Sequence, residues 1–199
     1  MVRKSFALVA VLLALAVPLS ASQFLEQSFD QVARGAKFIV RAQVIDTFSA
    51  WDDAHEVIYT YATLRVHRYF GETTGPDTLV VRNVGGTVDG YTQEAIGFPA
   101  VRRGEHVVFM LSEDGDAVLQ IHGYNQGKYL VRDRAGEQVL VEDPVKQGEG
   151  RPGAGHLADV ANNAISADTP AMTMGEFERM VDDARAGVHT FAPLRDQQN

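Results

Sequence analysis

The sequence contains no cysteine, and that one absence removes several chemistries together. Thiol nucleophiles, cysteine-ligated zinc, iron–sulfur clusters and c-type haem all require it. Disulfides are excluded as well, so the fold must hold through its core alone. Long apolar runs are also missing. The longest, Phe6 to Val17, has 12 residues, whereas a membrane-spanning helix needs roughly 20. There is no HExxH metal motif, no G-x-S-x-G nucleophile elbow and no glycine loop set between a strand and a helix for phosphate. Positive charge is scarce: 18 basic side chains stand against 26 acidic ones.

What is present begins with an export layout. Arg3 and Lys4 precede the apolar run, and Pro18-Leu19-Ser20-Ala21-Ser22 supplies a break followed by small residues. This is the pattern of a secretory signal peptide over residues 1–22, with cleavage after Ala21 or Ser22. The lack of cysteine at that point excludes a bacterial lipoprotein. The expected product has about 178 residues, enough for one domain with appendages. Periplasm or external medium is the expected location, with no stable membrane insertion after cleavage. Without Arg3 and Lys4, 16 basic side chains face 26 acidic ones, a net charge near −10. Such a surface repels phosphate backbones, so nucleic acid is not an expected partner.

The mature chain changes period along its length. Phe24, Leu25, Phe29, Val32 and Ala33 recur at helical spacing and predict a short helix over Phe24 to Ala36. From Phe38 the period becomes two, with Phe38, Val40, Ala42 and Val44 on one face. Trp51 to His55 reads as a loop. A long strand from Glu56 to Phe70 follows. Ile58, Ala62, Leu64 and Val66 fall on one side of it, and Tyr59, Tyr61, Thr63, Arg65, His67 and Tyr69 on the other. Further strands are expected over Thr78 to Val84, His106 to Leu111, Ala117 to Ile121, Lys128 to Val131 and Gln138 to Val141, separated by glycine-rich turns. Val107, Phe109 and Leu111 share one face. Thr92 to Ile96 is short and equivocal.

The fold class implied is mostly β: a small antiparallel OB-like barrel of about 5–7 strands with flanking N- and C-terminal helices. The barrel with its N-terminal helix is expected over residues 23–146 and a Gly/Pro-containing linker or loop over 147–170. A C-terminal helix over 171–187 and a flexible tail over 188–199 complete the plan. Thr173 and Glu176 form a capping box at the start of that helix.

A family likeness rests on the turn and strand patterns. Its features are Val40-Arg41-Ala42-Gln43-Val44, Ile58-Tyr59-Thr60-Tyr61, Val66 to Gly71, Gly85-Gly86, Gly97-Phe98-Pro99, Gly104-Glu105 and Gln126-Gly127. Through them, Phe38 to Val131 resembles poorly characterised secreted bacterial proteins with an OB-type barrel. In outline that barrel is similar to the netrin-like fold of tissue metalloproteinase inhibitors. The resemblance implies a fold and no catalytic residue. Those inhibitors act through an N-terminal cysteine and disulfides, which this chain lacks, so their mechanism does not carry over.

No catalytic residue and no metal ligand set is expected. His55, His67, His106, His122, His156 and His189 show no tight ligand spacing. Neighbouring acids such as Asp52-Asp53 and Glu113-Asp114 fall in turns and do not face each other across a cleft. The polar-aromatic face of the long strand is the leading binding candidate: Tyr59, Tyr61, Arg65, His67 and Tyr69. Aromatic and arginine side chains carry binding energy well. Tyr124 and Gln126, in a turn, are the second. The expected function is a secreted or periplasmic, non-catalytic binding or assembly module without a cofactor, whose partner is an envelope or extracellular protein. The alternatives are a small extracellular hydrolase with a dispersed His/carboxylate site and a protease-inhibitor-like protein.

Overall fold

Ser28 caps the first described helix. Its hydroxyl accepts from the Gln31 N–H, while the Gln31 side chain accepts from the Ser28 N–H. This reciprocal cap starts α1, Phe29–Gly35. The computed structural model describes residues 27–95, 97–143 and 170–188. The expected signal peptide, most of the expected linker and tail, His156 and His189 lie outside the described residues.

The strands are β1 (Phe38–Trp51), β2 (Ile58–Tyr69), β3 (Thr78–Val84), β4 (Gly86–Val88), β5 (Tyr91–Gln93), β6 (His106–Glu113), β7 (Leu119–Ile121), β8 (Lys128–Arg134), β9 (Glu137–Glu142) and β10 (Ala171–Thr173). The last helix is α2, Met174–Arg185. Strands β1-β2-β3-β7-β6 pair in that order, and β6 pairs back onto β1. This closes a five-strand barrel. Its neighbours are antiparallel except β3 and β7, which run parallel. Strands β4 and β5 form a separate hairpin, which is where the equivocal Thr92 to Ile96 stretch begins.

The sheet forks at β6. One edge of β6 carries β1. The other carries β8 at Val107 to Phe109 and β7 at Leu111 to Glu113. From β8 the sheet continues outside the barrel through β9 and β10. Strand β6 is therefore covered on both faces, which explains its unbroken run Val107-Val108-Phe109-Met110-Leu111. Val107, Phe109 and Leu111 fill the barrel with Val40, Ala42 and Leu64. Val108 and Met110 point the other way, into a second core under the helices.

Phe177 of α2 centres that second core. It meets Phe29, Phe70 and Tyr129 edge-on, at centroid distances of 5.6, 5.2 and 5.4 Å. Thr173 caps α2 through the expected box with Glu176. The residues just before it, Ala171–Thr173, are strand rather than helix because they pair with Val139 to Val141.

Two bulges shape the barrel wall. In β2, His67 is left over between the pairs Arg41–Arg68 and Ala42–Val66. In β1, Ile45 is left over between Val44–Leu64 and Asp46–Thr63. Each extra residue reverses the in–out alternation beyond it. Strand β1 also runs on to Trp51, which pairs with Ile58, so the loop begins one residue later than expected.

Candidate binding face

The outer surface of β1-β2-β3 is built from cross-strand rows. Phe48, Tyr61 and Arg82 are in register across the three strands, and Ala50, Tyr59 and Val84 form the next row. The Phe48 and Tyr61 rings stack at 5.0 Å and 13°. Phe48 remains 56% exposed, unusual for a phenylalanine. The Arg82 guanidinium lies 4.7 Å from the Tyr59 ring centre and hydrogen-bonds the Tyr61 side chain.

Arg82 is fixed from the far side by an ion pair with Asp114. Asp114 opens the β6–β7 turn, where its carboxylate accepts from the N–H groups of Asp116 and Val118, both at 3.0 Å. The Val118 N–H, the Asp116 N–H and Arg82 together hold the Asp114 carboxyl below its ordinary range, against some burial. The β1–β2 loop is built in the same way. Asp52 accepts from the Glu56 and Val57 N–H groups at 2.7 and 3.1 Å, which lowers its carboxyl too. Trp51 stacks on His55 and meets Tyr91 edge-on, extending the aromatic surface toward the β4–β5 hairpin.

Toward the other end of β2 the face becomes cationic. Arg65 and His67 are exposed, and the His67 ring lies parallel to that of His106 on β6, at 6.3 Å and 16°. Arg41 and Arg68 lie opposite each other nearby. Arg41 donates to Gln138 at 2.7 Å, and Arg68 pairs with Glu178 of α2.

Tyr59, Tyr61, Arg65 and His67 thus share the outer face, as the alternation of β2 predicts. Tyr69 does not. The bulge at His67 turns it toward the barrel mouth, where it packs edge-on against Phe38 at 5.8 Å and its hydroxyl donates to the Pro76 carbonyl at 2.7 Å. Burial there, with Asp77 nearby, raises its phenol above the usual range. Tyr124 sits in a left-handed backbone conformation, with Phe98 edge-on at 4.9 Å. Gln126 exchanges two hydrogen bonds with the Gln27 backbone, so this side chain anchors the segment that leads into α1.

Phe48 and Arg82 join the face without having been singled out in the sequence, and Asp114 and His106, read there as a turn acid and as one of six histidines without ligand spacing, join it too. Phe48 reads as inward-facing by its even spacing from Phe38, and the extra residue Ile45 turns it out. The others come from strands and turns whose register is not local information.

Beside this face, Lys128 is fully buried at the barrel end. Its ammonium group is met by Glu105 at 2.9 Å, Asp143 at 2.8 Å and the Ala100 carbonyl. No group of three histidine, aspartate or glutamate side chains among the described residues is placed to hold a metal. No helix among them is long and apolar enough to cross a membrane.

No protein-family model, no curated protein and no solved structure matches this chain. What stands of the likeness to netrin-like proteins is a small closed five-strand barrel with additional strands.

Proposed function

We propose that this chain is an exported, non-catalytic binding module that takes its ligand on the outer face of β1-β2-β3. One observation carries the reading. Phe48 and Tyr61 form a stacked, solvent-facing platform, flanked by an Arg82 already fixed by Asp114 and Tyr59. Exposing a large apolar ring has a solvation cost that a ligand removes by covering it. An arginine held in place before binding loses little further freedom when it is contacted. The signal-peptide layout of residues 1–22 supports export. The likeness to secreted bacterial barrels is compatible with a scaffold that displays a rigid strand face. It rests on analogy of fold, and the site argument stands apart from it.

The test is affinity capture from envelope and culture fractions with the mature protein, in parallel with Tyr59→Ala and Tyr61→Ala variants. Specific partners should be depleted in the variants. Equal recovery of every partner overturns the face as the site. Intact-mass measurement of the exported product tests the leader, and retention of all 199 residues overturns cleavage.

A further inference from the structure

Lys128 has no exposed surface, and the binding face makes no use of it. Lysine is almost never fully buried unless it is paired. Here the three hydrogens of its ammonium group have three acceptors: Asp143 Oδ2 at 2.8 Å, Glu105 Oε2 at 2.9 Å and the Ala100 carbonyl. Both carboxylates are themselves largely withdrawn from solvent, Asp143 at 15% exposure and Glu105 at 13%. The sheet register creates the meeting. Tyr129 pairs with Glu142 at the open end of the β8–β9 hairpin, so Lys128 and Asp143 occupy the next opposed positions. On its other side Lys128 lies opposite Phe109 of β6. Glu105 arrives from the turn before β6, where the Arg102 N–H at 3.1 Å and the Arg102 guanidinium hold its carboxylate.

An amine pressed against one carboxyl group and beside a second, with little water around, is the arrangement that amide formation needs. Nζ lies 2.8 Å from Oδ2, so the carbon bonded to that oxygen is at most about 4 Å away. Fixed contact of this kind replaces the rare encounter of two free groups and raises their effective concentration by orders of magnitude. Asp143 also has no competing internal route. Closure of an aspartyl carboxyl group onto its own backbone uses the N–H of the next residue, and residue 144 is proline.

We infer that Lys128 and Asp143 condense to a side-chain amide, Nζ to Cγ, with Glu105 as the proton carrier. Glu105 takes a proton from the ammonium group, and the freed lone pair on nitrogen attacks Cγ of Asp143. A C–N bond forms and one C–O bond of the carboxyl group breaks. Nitrogen gives up two protons, and Glu105 passes both to the departing oxygen, which leaves as water. One positive and one negative charge cancel, nothing is oxidised or reduced, and no co-reactant is required. The hydrogen that stays on nitrogen keeps the Ala100 carbonyl as its acceptor. Before it reacts, the triad is an ion-pair network. Afterwards it is a covalent closure of the β8–β9 hairpin at the point where β9 ends. A chain without cysteine has no disulfide with which to make such a closure.

The experiment is mass measurement of the purified protein under denaturing conditions, followed by tryptic mapping. The protein should be lighter than its residues require by one water, about 18 Da. Trypsin does not cut after an acylated lysine, so residues 104–132 and 135–146 should appear as one branched peptide. Lys128→Arg and Asp143→Ala should retain the water and give no branched peptide. Glu105→Gln, folded like the parent by circular dichroism, should form the branched peptide at least about a hundredfold more slowly. A parent of full mass, cut by trypsin after Lys128, overturns the inference. So does a water loss that maps to Asp89 or Asp114, each of which precedes a glycine. Formation of the branched peptide in Glu105→Gln at the parental rate overturns the part given to Glu105. The mass of the parent is decisive even where a variant does not fold.

Discussion

Gly127 lies directly over the carbonyl oxygen of His122: a β-carbon built on Gly127 would sit 1.9 Å from that atom. The contact is with backbone, so no side-chain movement relieves it. Gly127→Ala should therefore lower stability by about 3 kcal/mol or prevent folding. Gly115→Ala, at a position with nothing within 4 Å, should leave stability within about 0.5 kcal/mol. Urea unfolding midpoints of the two variants check the contrast.

The buried lysine gives a second expectation. In the uncondensed chain, Lys128→Met removes the cation between Glu105 and Asp143, leaving the poorly hydrated Asp143 carboxylate without its counter-ion and Glu105 with Arg102 alone. The loss should be about 3 kcal/mol at neutral pH. The triple variant Lys128→Met, Glu105→Gln, Asp143→Asn should recover most of it, because a neutral replacement strands no charge. Equal unfolding free energies for the single and triple variants would show that the ammonium group contributes through packing instead.

The bulge at His67 separates two tyrosines that sequence spacing groups together. Tyr69→Ala should cost about 2–3 kcal/mol, since the ring packs against Phe38 at the barrel mouth. Tyr61→Ala, facing outward beside Phe48, should cost less than about 1 kcal/mol and act on binding instead. Thermal unfolding of the two variants in parallel checks this, and similar losses would refute the assignment of faces.

Acid should destabilise the fold in two stages. His122 is half-buried, and burial lowers its pKa below the ordinary 6.5, so the folded state favours the neutral ring. Its contribution is complete above 6.5 and is lost as pH falls through the lower folded value. The second stage comes from Asp52, Asp114 and Glu176, whose carboxyls are lowered chiefly by backbone N–H groups from ordinary values of 3.8, 3.8 and 4.5. Their stabilisation is complete above those values and disappears as pH falls through the lower folded ones. Unfolding midpoints measured from pH 7 to pH 2 should show both declines. His122→Gln should remove the first, and Asp52→Asn with Asp114→Asn should shallow the second.

The architecture was legible in the sequence because alternation survives in most strands. Val40, Ala42 and Val44, and likewise Val107, Phe109 and Leu111, line the barrel as their spacing requires. The cap of α2 was legible too, since Thr173 and Glu176 lie within one helical turn, whereas the Ser28–Gln31 cap of α1 was not read. The face was half legible. Tyr59, Tyr61, Arg65 and His67 keep the parity of β2, whereas Tyr69 and Phe48 each lie beyond an inserted residue that reverses it. A bulge is defined by the partner strand, and no local window of β1 or β2 contains that partner. The same limit hid Arg82, and it hid the placement, though not the presence, of Asp114 and His106, which reach the face only through the pairing of the sheet.

The fork at β6 sets an order on the birth of this protein. Every barrel strand has been synthesised once Ile121 is made, about 50 residues before β10 begins at Ala171, so the barrel can close before β10 and α2 exist. Val108, Met110 and Tyr129, however, wait for β10 and α2, which lie near the end of the chain. Until β10 and α2 emerge, a nascent barrel carries a bare oily flank. A ribosome that stalls or terminates before residue 171 would release a closed barrel with that flank still uncovered, a product that quality-control proteases and chaperones recognise.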